Sequence, residues 1–197
     1  GGAEYQWSGG AELSCTDCPT PTATPHTTTT YRVAITDAYG CISYDSVRVV
    51  VNPLPVAVVD TVPPVCVGDS RQLRAGGGIG YRWEPAEGLS CTDCPDPIAT
   101  PTATTTYSVE VRNADGCSDT ASVTLGVYSL PQPTIWPDTV MCAGDSAFLG
   151  VSGGVRYRWT PSADLSCDDC PNPIARPYTT TRYDVEVWNE SGCSVAR

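Results

Sequence analysis

The chain has 197 residues and a formal net charge of −11 at pH 7, with 22 acidic side chains against 11 basic ones. This balance argues against binding to nucleic acid phosphates or insertion into an anionic membrane. No apolar run approaches the roughly 20 residues that cross a bilayer. With 18 prolines, 18 glycines and many threonines and valines, the sequence disfavours helices and predicts an all-β protein.

One cysteine pattern recurs along the chain with a period of 76 residues, as the spacing of Cys15, Cys91 and Cys167 illustrates. The similarity extends beyond cysteine, because aligning 54–121 with 130–197 without a gap gives 33 identities in 68 positions. Solenoid repeats have periods of roughly 20–50 residues, so this longer period predicts small domains in series, each with its own core.

The repeat predicts three modules. We expect a partial module over residues 1–53 that lacks its N-terminal strands, a complete module over 54–129, and a module over 130–197 that lacks its last strand. The equivalent of Cys66 in the first module would lie before Gly1. The chain is therefore expected to be a segment of a longer repetitive protein.

Each module is expected to consist of short strands separated by turns. In the second module the expected strands are 56–59, 70–75, 80–84, 104–112 and a last strand that alternates through Val123, Leu125 and Val127. Tyr81 and Trp83 share one face of the third strand, as period-2 alternation requires. Regular turns and a Trp on that strand predict tandem immunoglobulin-like antiparallel β-sandwiches. Tyr107 resembles the tyrosine corner of this fold.

The abundance of cysteine predicts an oxidising compartment and structural disulfides. A module of this size hides only about 60–65% of its unfolded-chain surface, so its core is marginal without covalent support. The cysteines expected to form disulfides are Cys15, Cys18, Cys66, Cys91, Cys94, Cys117, Cys142, Cys167, Cys170 and Cys193.

The connectivity of these cysteines stays open. Cys91 and Cys94, followed by Pro95, are close enough in sequence to pair with each other inside one loop. Cys66 has two candidate partners, and we favour Cys117 of the same module. Sandwich topology, however, places Cys66 at the opposite end from the turn that carries Cys117. The alternative is Cys193, which would join one module covalently to the next.

Catalytic and metal-binding interpretations have little support in the sequence. A redox CxxC needs a thiolate at the start of a helix, and zinc ribbons pair two CxxC knuckles, whereas each module has one. The single histidine, His26, is replaced by Thr102 and Tyr178 in the other modules. We therefore expect no enzyme activity and no cofactor, with Ca²⁺ held by aspartates between modules as an alternative.

The second module carries motifs that resemble a known family. Val65-Cys66-Val67-Gly68-Asp69-Ser70, Tyr81-Arg82-Trp83 and the LSCTDCPDPIA stretch over 89–99 are similar to PKD-like and immunoglobulin-like tandem repeats of large Bacteroidota surface proteins, including the giant gliding-motility adhesin. The first module departs from this pattern, with Gly9 in place of Pro85 and Thr22 in place of Ile98.

This resemblance implies several properties. It implies secretion by the type IX system, attachment at the outer cell surface, and a role in adhesion, gliding or filament formation. It also implies O-glycosylation at Asp-Ser/Thr-aliphatic triplets, which occur at Ser46, Thr61, Thr120, Thr139 and Ser146.

Two tryptophans break the repeat and are candidate contact residues. Trp136 replaces Asp60, and Trp188 stands where Arg112 does in the second module. An outward-facing Trp is suited to stacking on a sugar or a neighbouring subunit.

The resulting hypothesis is an extracellular structural and adhesive rod. Its expected partners are neighbouring repeats of the same chain, further copies in a filament, or surface glycans. The alternatives are a carbohydrate-binding module and a spacer within a secreted enzyme.

Overall fold

The computed structural model describes residues 4–10, 12–136 and 138–197, and all regular elements in these residues are β-strands. The first module contains β1 (Glu4–Ser8), β2 (Thr29–Thr36) and β3 (Ile42–Val49). The second contains β4 (Val58–Val59), β5 (Val65–Cys66), β6 (Arg71–Gln72), β7 (Ala75–Gly76), β8 (Gly80–Glu84), β9 (Ile98–Ala99), β10 (Thr105–Arg112), β11 (Ser118–Leu125) and β12 (Val127–Tyr128). The third contains β13 (Thr134–Ile135), β14 (Ala147–Phe148), β15 (Val151–Ser152), β16 (Arg156–Thr160), β17 (Ile174–Ala175), β18 (Asp184–Trp188) and β19 (Ser194–Ala196).

Equivalent strands form equivalent sheets in the modules. Three-stranded sheets have the orders β1-β2-β3, β11-β10-β8 and β16-β18-β19. Short antiparallel pairs accompany them: β4 with β7, β6 with β9, β13 with β15, and β14 with β17. Strands β5 and β12 pair in parallel, with Val65 opposite Val127 and Cys66 opposite Tyr128.

By its backbone contacts the chain divides into two compact units. The first unit comprises Gly1–Val56, Gly77–Ile79 and Val111–Asp119, and the second comprises Ala57–Gly76, Gly80–Glu110 and Thr120–Arg197. Each has buried apolar side chains, which include Tyr31 and Val33 in the first unit and Leu73, Trp83, Tyr107, Leu125, Trp159 and Val185 in the second. The module boundaries after residues 53 and 129 stay predictions.

The expected strands of the second module differ from the structure in three places. The first strand is limited to Val58–Val59, and the second is divided into β6 and β7 because these pair with different partners, β9 and β4. The last strand ends at Leu125, and the chain then pairs with β5. A Cβ on the intervening Gly126 would lie 3.1 Å from the Pro64 side chain, so glycine permits this close approach.

One tryptophan in each module, buried at positions 83 and 159 and half-buried at position 7, hydrogen-bonds to the CxxC loop. The indole N–H of Trp83 donates to the carbonyl oxygen of Cys94 at 2.9 Å. The same bond is 3.0 Å from Trp7 to Cys18 and 2.9 Å from Trp159 to Cys170. The polar edge of a large apolar ring is thereby satisfied while its body fills the core.

Replacement of Trp83 by alanine is expected to destabilise the second module by about 3–5 kcal/mol, because the side chain is only 1% exposed and its loss leaves a cavity. Hydrogen exchange of the β8 and β10 amides measures the effect. Arg82→Ala, on the exposed neighbour that pairs with Glu84, is the control and should change stability by less than about 0.5 kcal/mol. Equal effects of the two substitutions would contradict this account of the core.

Tyr107 is fully buried at the start of β10, and its hydroxyl donates to the carbonyl oxygen of Glu87 at 3.2 Å. Burial raises the pKa of this phenol above its ordinary value of 10.0. A side-chain hydrogen bond with Thr105 lowers the pKa in part, and the charge of Glu87 raises it. Burial also raises the pKa of the equivalent Tyr183.

These raised values predict a loss of stability in alkali. Below pH 10 the phenols are protonated in both the folded and the unfolded chain, so their contribution to stability is complete. As the pH rises toward the folded-state pKa, the unfolded chain loses the proton first, and each group lowers the free energy of unfolding by up to about 1.4 kcal/mol per pH unit. Urea midpoints measured between pH 9 and 11 should fall less steeply in Tyr107→Phe than in the parent chain. Identical slopes would contradict the assignment.

Candidate functional site

Every module presents a cysteine on the same hairpin turn. An Asp or Asn side chain opens the turn, and its Oδ1 atom accepts the amide N–H of the cysteine four residues later. These bonds join Cys41 to Asp37 at 2.9 Å, Cys117 to Asn113 at 3.0 Å, and Cys193 to Asn189 at 3.0 Å. A glycine with φ of 81–83° precedes each cysteine, at positions 40, 116 and 192. The turn fixes the direction of the cysteine because side-chain and backbone bonds both close it.

The two asparagines also bind the linker that precedes their own module. The Nδ2 atom of Asn113 donates to the carbonyl oxygen of Pro53 at 2.9 Å. In the next module Asn189 donates to the carbonyl oxygen of Ser129 at 2.7 Å. Asp37 has no amide group and cannot make this contact. One asparagine therefore shapes the turn with its oxygen and contacts the linker with its nitrogen.

The turn of the third module is covalently joined to the second module by a disulfide between Cys66 and Cys193. Their Cα atoms are 5.7 Å apart, within the usual range for a disulfide, although 127 residues separate them in sequence. Pairing of β5 with β12 places Cys66 beside the linker that Asn189 contacts. Closing so long a loop is worth about 5 kcal/mol in the chain-entropy model.

This disulfide corrects the favoured connectivity. We expected Cys66 to pair with Cys117 of its own module, and the structure pairs it with Cys193 instead. The topological objection explains the outcome, since Cys66 lies beside the linker to the next module. Cys117 and Cys142 were also expected in disulfides, and both are free thiols in the structure, as is Cys41.

The CxxC pairs close on themselves in all three modules, as Cys15–Cys18, Cys91–Cys94 and Cys167–Cys170. Each closes a separation of only three residues in an irregular loop. In each loop the carbonyl oxygen of the second cysteine accepts the core tryptophan N–H. These bonds shape a local loop and do not connect modules.

A cleft of about 350 Å³ adjoins the disulfide between the modules. Its lining includes Cys66, Asp69, Arg71, Tyr128 and Ser191. Asp69, Ser70 and Ser191 are exposed, so the cleft is open and polar on that side. This lining suits solvent more than an apolar ligand.

The two candidate contact tryptophans differ in exposure. Trp136 is 55% exposed, and its ring lies against Gly150, where a Cβ would collide with it. Trp188 is half-buried, and the guanidinium of Arg156 lies 4.2 Å from the centre of its ring. This cation–π contact was not apparent from the strand pattern, and it covers the face that the sequence suggested for a ligand.

The other predicted site residues lie on the surface. The hydroxyl-bearing residues Ser46, Thr61, Thr120, Thr139 and Ser146 are all exposed. His26 is 93% exposed and lies 3.8 Å from Glu12. Within the described ranges, three or more His, Cys, Asp or Glu side chains nowhere converge in a metal-binding arrangement. The same residues include no helix of the length and apolarity needed to cross a membrane.

Comparison with known proteins bears on the fold alone. No protein-family model matches the chain, and no curated protein sequence matches it. Among solved structures, the insect immune protein hemolin is 16% identical, with a TM-score of 0.40 over 98% of this chain and 65% of that one. The structure of the N-terminal eight Ig domains of Down Syndrome Cell Adhesion Molecule isoform 1.30.30 is 15% identical, with a TM-score of 0.46 over 98% of this chain and 34% of that one. Murine CEACAM1b is 13% identical, with a TM-score of 0.34 over 72% of this chain and 96% of that one. This chain thus spans less than two thirds of the length of the hemolin and Down Syndrome Cell Adhesion Molecule structures. The strands, antiparallel sheets and disulfides of the structure confirm the predicted all-β architecture with disulfides.

Replacement of Asn189 by aspartate should separate its two roles. The carboxylate still accepts the Cys193 N–H, as Asp37 does for Cys41, but it loses the donor to Ser129. We expect amide exchange of Val67 and Val127 at the linker to become about five-fold faster, the effect of losing about 1 kcal/mol of hydrogen bonding. Exchange at Cys193 should be unchanged. Asn189→Ala is the matched control and should accelerate both, whereas equal behaviour of the two variants would contradict the division of roles.

Proposed function

We propose that this chain is an extracellular structural and adhesive segment, in which tandem immunoglobulin-like modules form a stiff rod or fibre of a large secreted bacterial surface protein. The observation that carries the proposal is the disulfide between Cys66 and Cys193, because its cysteines lie 127 residues apart and in different predicted modules. Such a bond stabilises the folded state of any protein. In a protein that must keep its length under load, it also prevents the enclosed residues from being extended.

The contacts around the disulfide support the same role. Prolines at 53, 55 and 131 stiffen the two linkers. Asn189 also binds the second linker, through the backbone carbonyl of Ser129. The charge of −11 disfavours compact association of modules and favours an extended, soluble surface polymer. The proposed role requires no cofactor. Adhesion, gliding or filament formation at the outer surface of the cell, reached by type IX secretion, is the setting that the family resemblance suggests.

Two further properties belong to this proposal. The exposed hydroxyls at Ser46, Thr61, Thr120, Thr139 and Ser146 are available for O-glycosylation, which would protect a secreted rod from proteolysis. Trp136 favours carbohydrate binding as a second candidate function, because a ring that is 55% exposed on a supporting glycine is suited to stacking on a sugar.

Pulling single molecules by their ends tests the mechanical role. The oxidised chain should transmit force through the Cys66–Cys193 bond, so that the residues between them are never extended. The Cys66→Ser/Cys193→Ser variant should release about 420–460 Å more contour length, at 3.3–3.6 Å for each of the 127 residues. Removal of a local bond by Cys91→Ser/Cys94→Ser is the matched control and should leave the extension of the oxidised chain unchanged. If the parent chain extended as far as the double serine variant, the proposed load path would be wrong.

A further inference from the structure

The first unit has the same turn and linker contacts as the second, but the cysteine of that turn, Cys117, is a free thiol. We propose that Val50–Asn52 and Cys117 form a binding site for a repeat-opening segment, defined as a segment of the same type as residues 54–76 with its cysteine at the position of Cys66. The proposed occupant is a segment of this type contributed by another repeat of the same protein. It would pair with 50–52 as a parallel strand and form a disulfide with Cys117.

The bound form of such a site is seen in the second unit. There the repeat-opening segment donates Val65 N–H to the Gly126 oxygen and Val67 N–H to the Tyr128 oxygen, both at 2.9 Å. Its cysteine then meets Cys193 on the next turn. Strand pairing supplies the position, and the disulfide makes the position permanent.

The backbone that would receive the segment is held identically in both units. Thr104 accepts the Val127 N–H at 3.0 Å, and its equivalent Thr28 accepts the Val51 N–H at 3.1 Å. Asn113 binds the Pro53 carbonyl as Asn189 binds that of Ser129. These matched bonds place the turn and the linker of the first unit in the arrangement that holds a disulfide in the second.

The thiol of Cys117 lies where the arrangement requires it. Its Sγ atom is 4.0 Å from the carbonyl oxygen of Asn52. Asn52 is the equivalent of Tyr128, which is the residue directly opposite Cys66 in the parallel pair. The sulfur therefore faces the point at which the cysteine of a docked repeat-opening segment would arrive.

Apolar exposure identifies the same face independently of the thiol. Val47 on β3 is 48% exposed, whereas its equivalent Val123 is 8% exposed in the module that contains a repeat-opening segment. Val50 stands at the position of Gly126 and is 60% exposed, so a docked segment would pack on a valine side chain where Pro64 packs on a glycine. Burial of such side chains favours docking of an apolar strand over binding of a small polar ligand.

The other two free thiols do not present this combination. Cys41 is exposed on a turn whose first residue, Asp37, has no amide with which to bind a linker. Cys142 is exposed and is itself a cysteine of the repeat-opening type, preceded by a fully exposed Val140. The three thiols thus differ in role. If exposure alone determined reactivity, the half-buried Cys117 would react more slowly than the exposed Cys41 and Cys142.

Formation of the bond is a two-electron oxidation of two thiols. In the natural setting a disulfide oxidant accepts the two electrons and two protons. In the test, the probe is a synthetic peptide of residues 54–76 whose cysteine carries a 2-thiopyridyl group. The Cys117 thiolate attacks the peptide sulfur, the old S–S bond breaks, and 2-thiopyridone leaves with the electron pair.

Peptide mapping after incubation with the whole chain measures which thiol is captured. Docking should accelerate capture at Cys117 by about ten-fold or more over the same peptide carrying Leu73→Asp, since Leu73 is fully buried in its own module and follows the reacting cysteine by seven residues in the sequence. Capture at Cys41 and Cys142 should be equal for the two peptides. Asn113→Ala should slow capture at Cys117 without affecting the other thiols, and capture should protect the β3 amides from exchange.

Labelling that follows exposure, with Cys41 and Cys142 reacting first for both peptides, would overturn the proposal. So would oxidation of the chain into dimers that join Cys117 to Cys117 in the presence of excess peptide, because the thiol would then prefer the same turn of a second copy to a repeat-opening segment. Neither outcome bears on the load path through Cys66 and Cys193, which the pulling experiment tests separately.

Discussion

The bond between Cys66 and Cys193 is the constraint on which the organisation of the second unit depends. An ordinary disulfide of a small domain joins two strands of one core and stabilises that core. Here the bonded residues lie 127 apart, so the enclosed loop contains most of one module and nearly all of the next. The conformational entropy removed from the unfolded chain therefore stabilises the joint between modules as well as the modules themselves.

Contacts other than the disulfide bring the two sulfurs together. Parallel pairing aligns Cys66 with Tyr128, and the asparagine turn presents Cys193 against the same linker. The turn recognises a backbone carbonyl, that of Pro53 in one linker and Ser129 in the other, so the junction tolerates different linker sequences. Asparagine is required for both contacts, since aspartate keeps only the acceptor.

Much of the fold follows from periodicity that is visible in the sequence. The alternation of Tyr81 and Trp83 correctly predicted a strand, because local chemistry decides this feature. The partner of Cys66 depends on which edge of the sandwich β5 occupies. The sequence does not distinguish the two candidates, because Cys117 and Cys193 occupy the same position of the repeat. The cation–π contact between Arg156 and Trp188 joins residues that pair across β16 and β18. The spacing of residues in the sequence did not predict it. Sequence thus predicted the elements better than the contacts between them.

In a longer array, the length of chain between the two bonded cysteines would exceed the repeat period. The period is 76 residues and the disulfide spans 127, so successive bonds of this type would enclose overlapping loops. The bond that starts at Cys66 would end beyond Cys142, where the next would begin. Every point of such a chain would then lie inside at least one covalent loop, whereas a span shorter than the period would leave residues outside any loop.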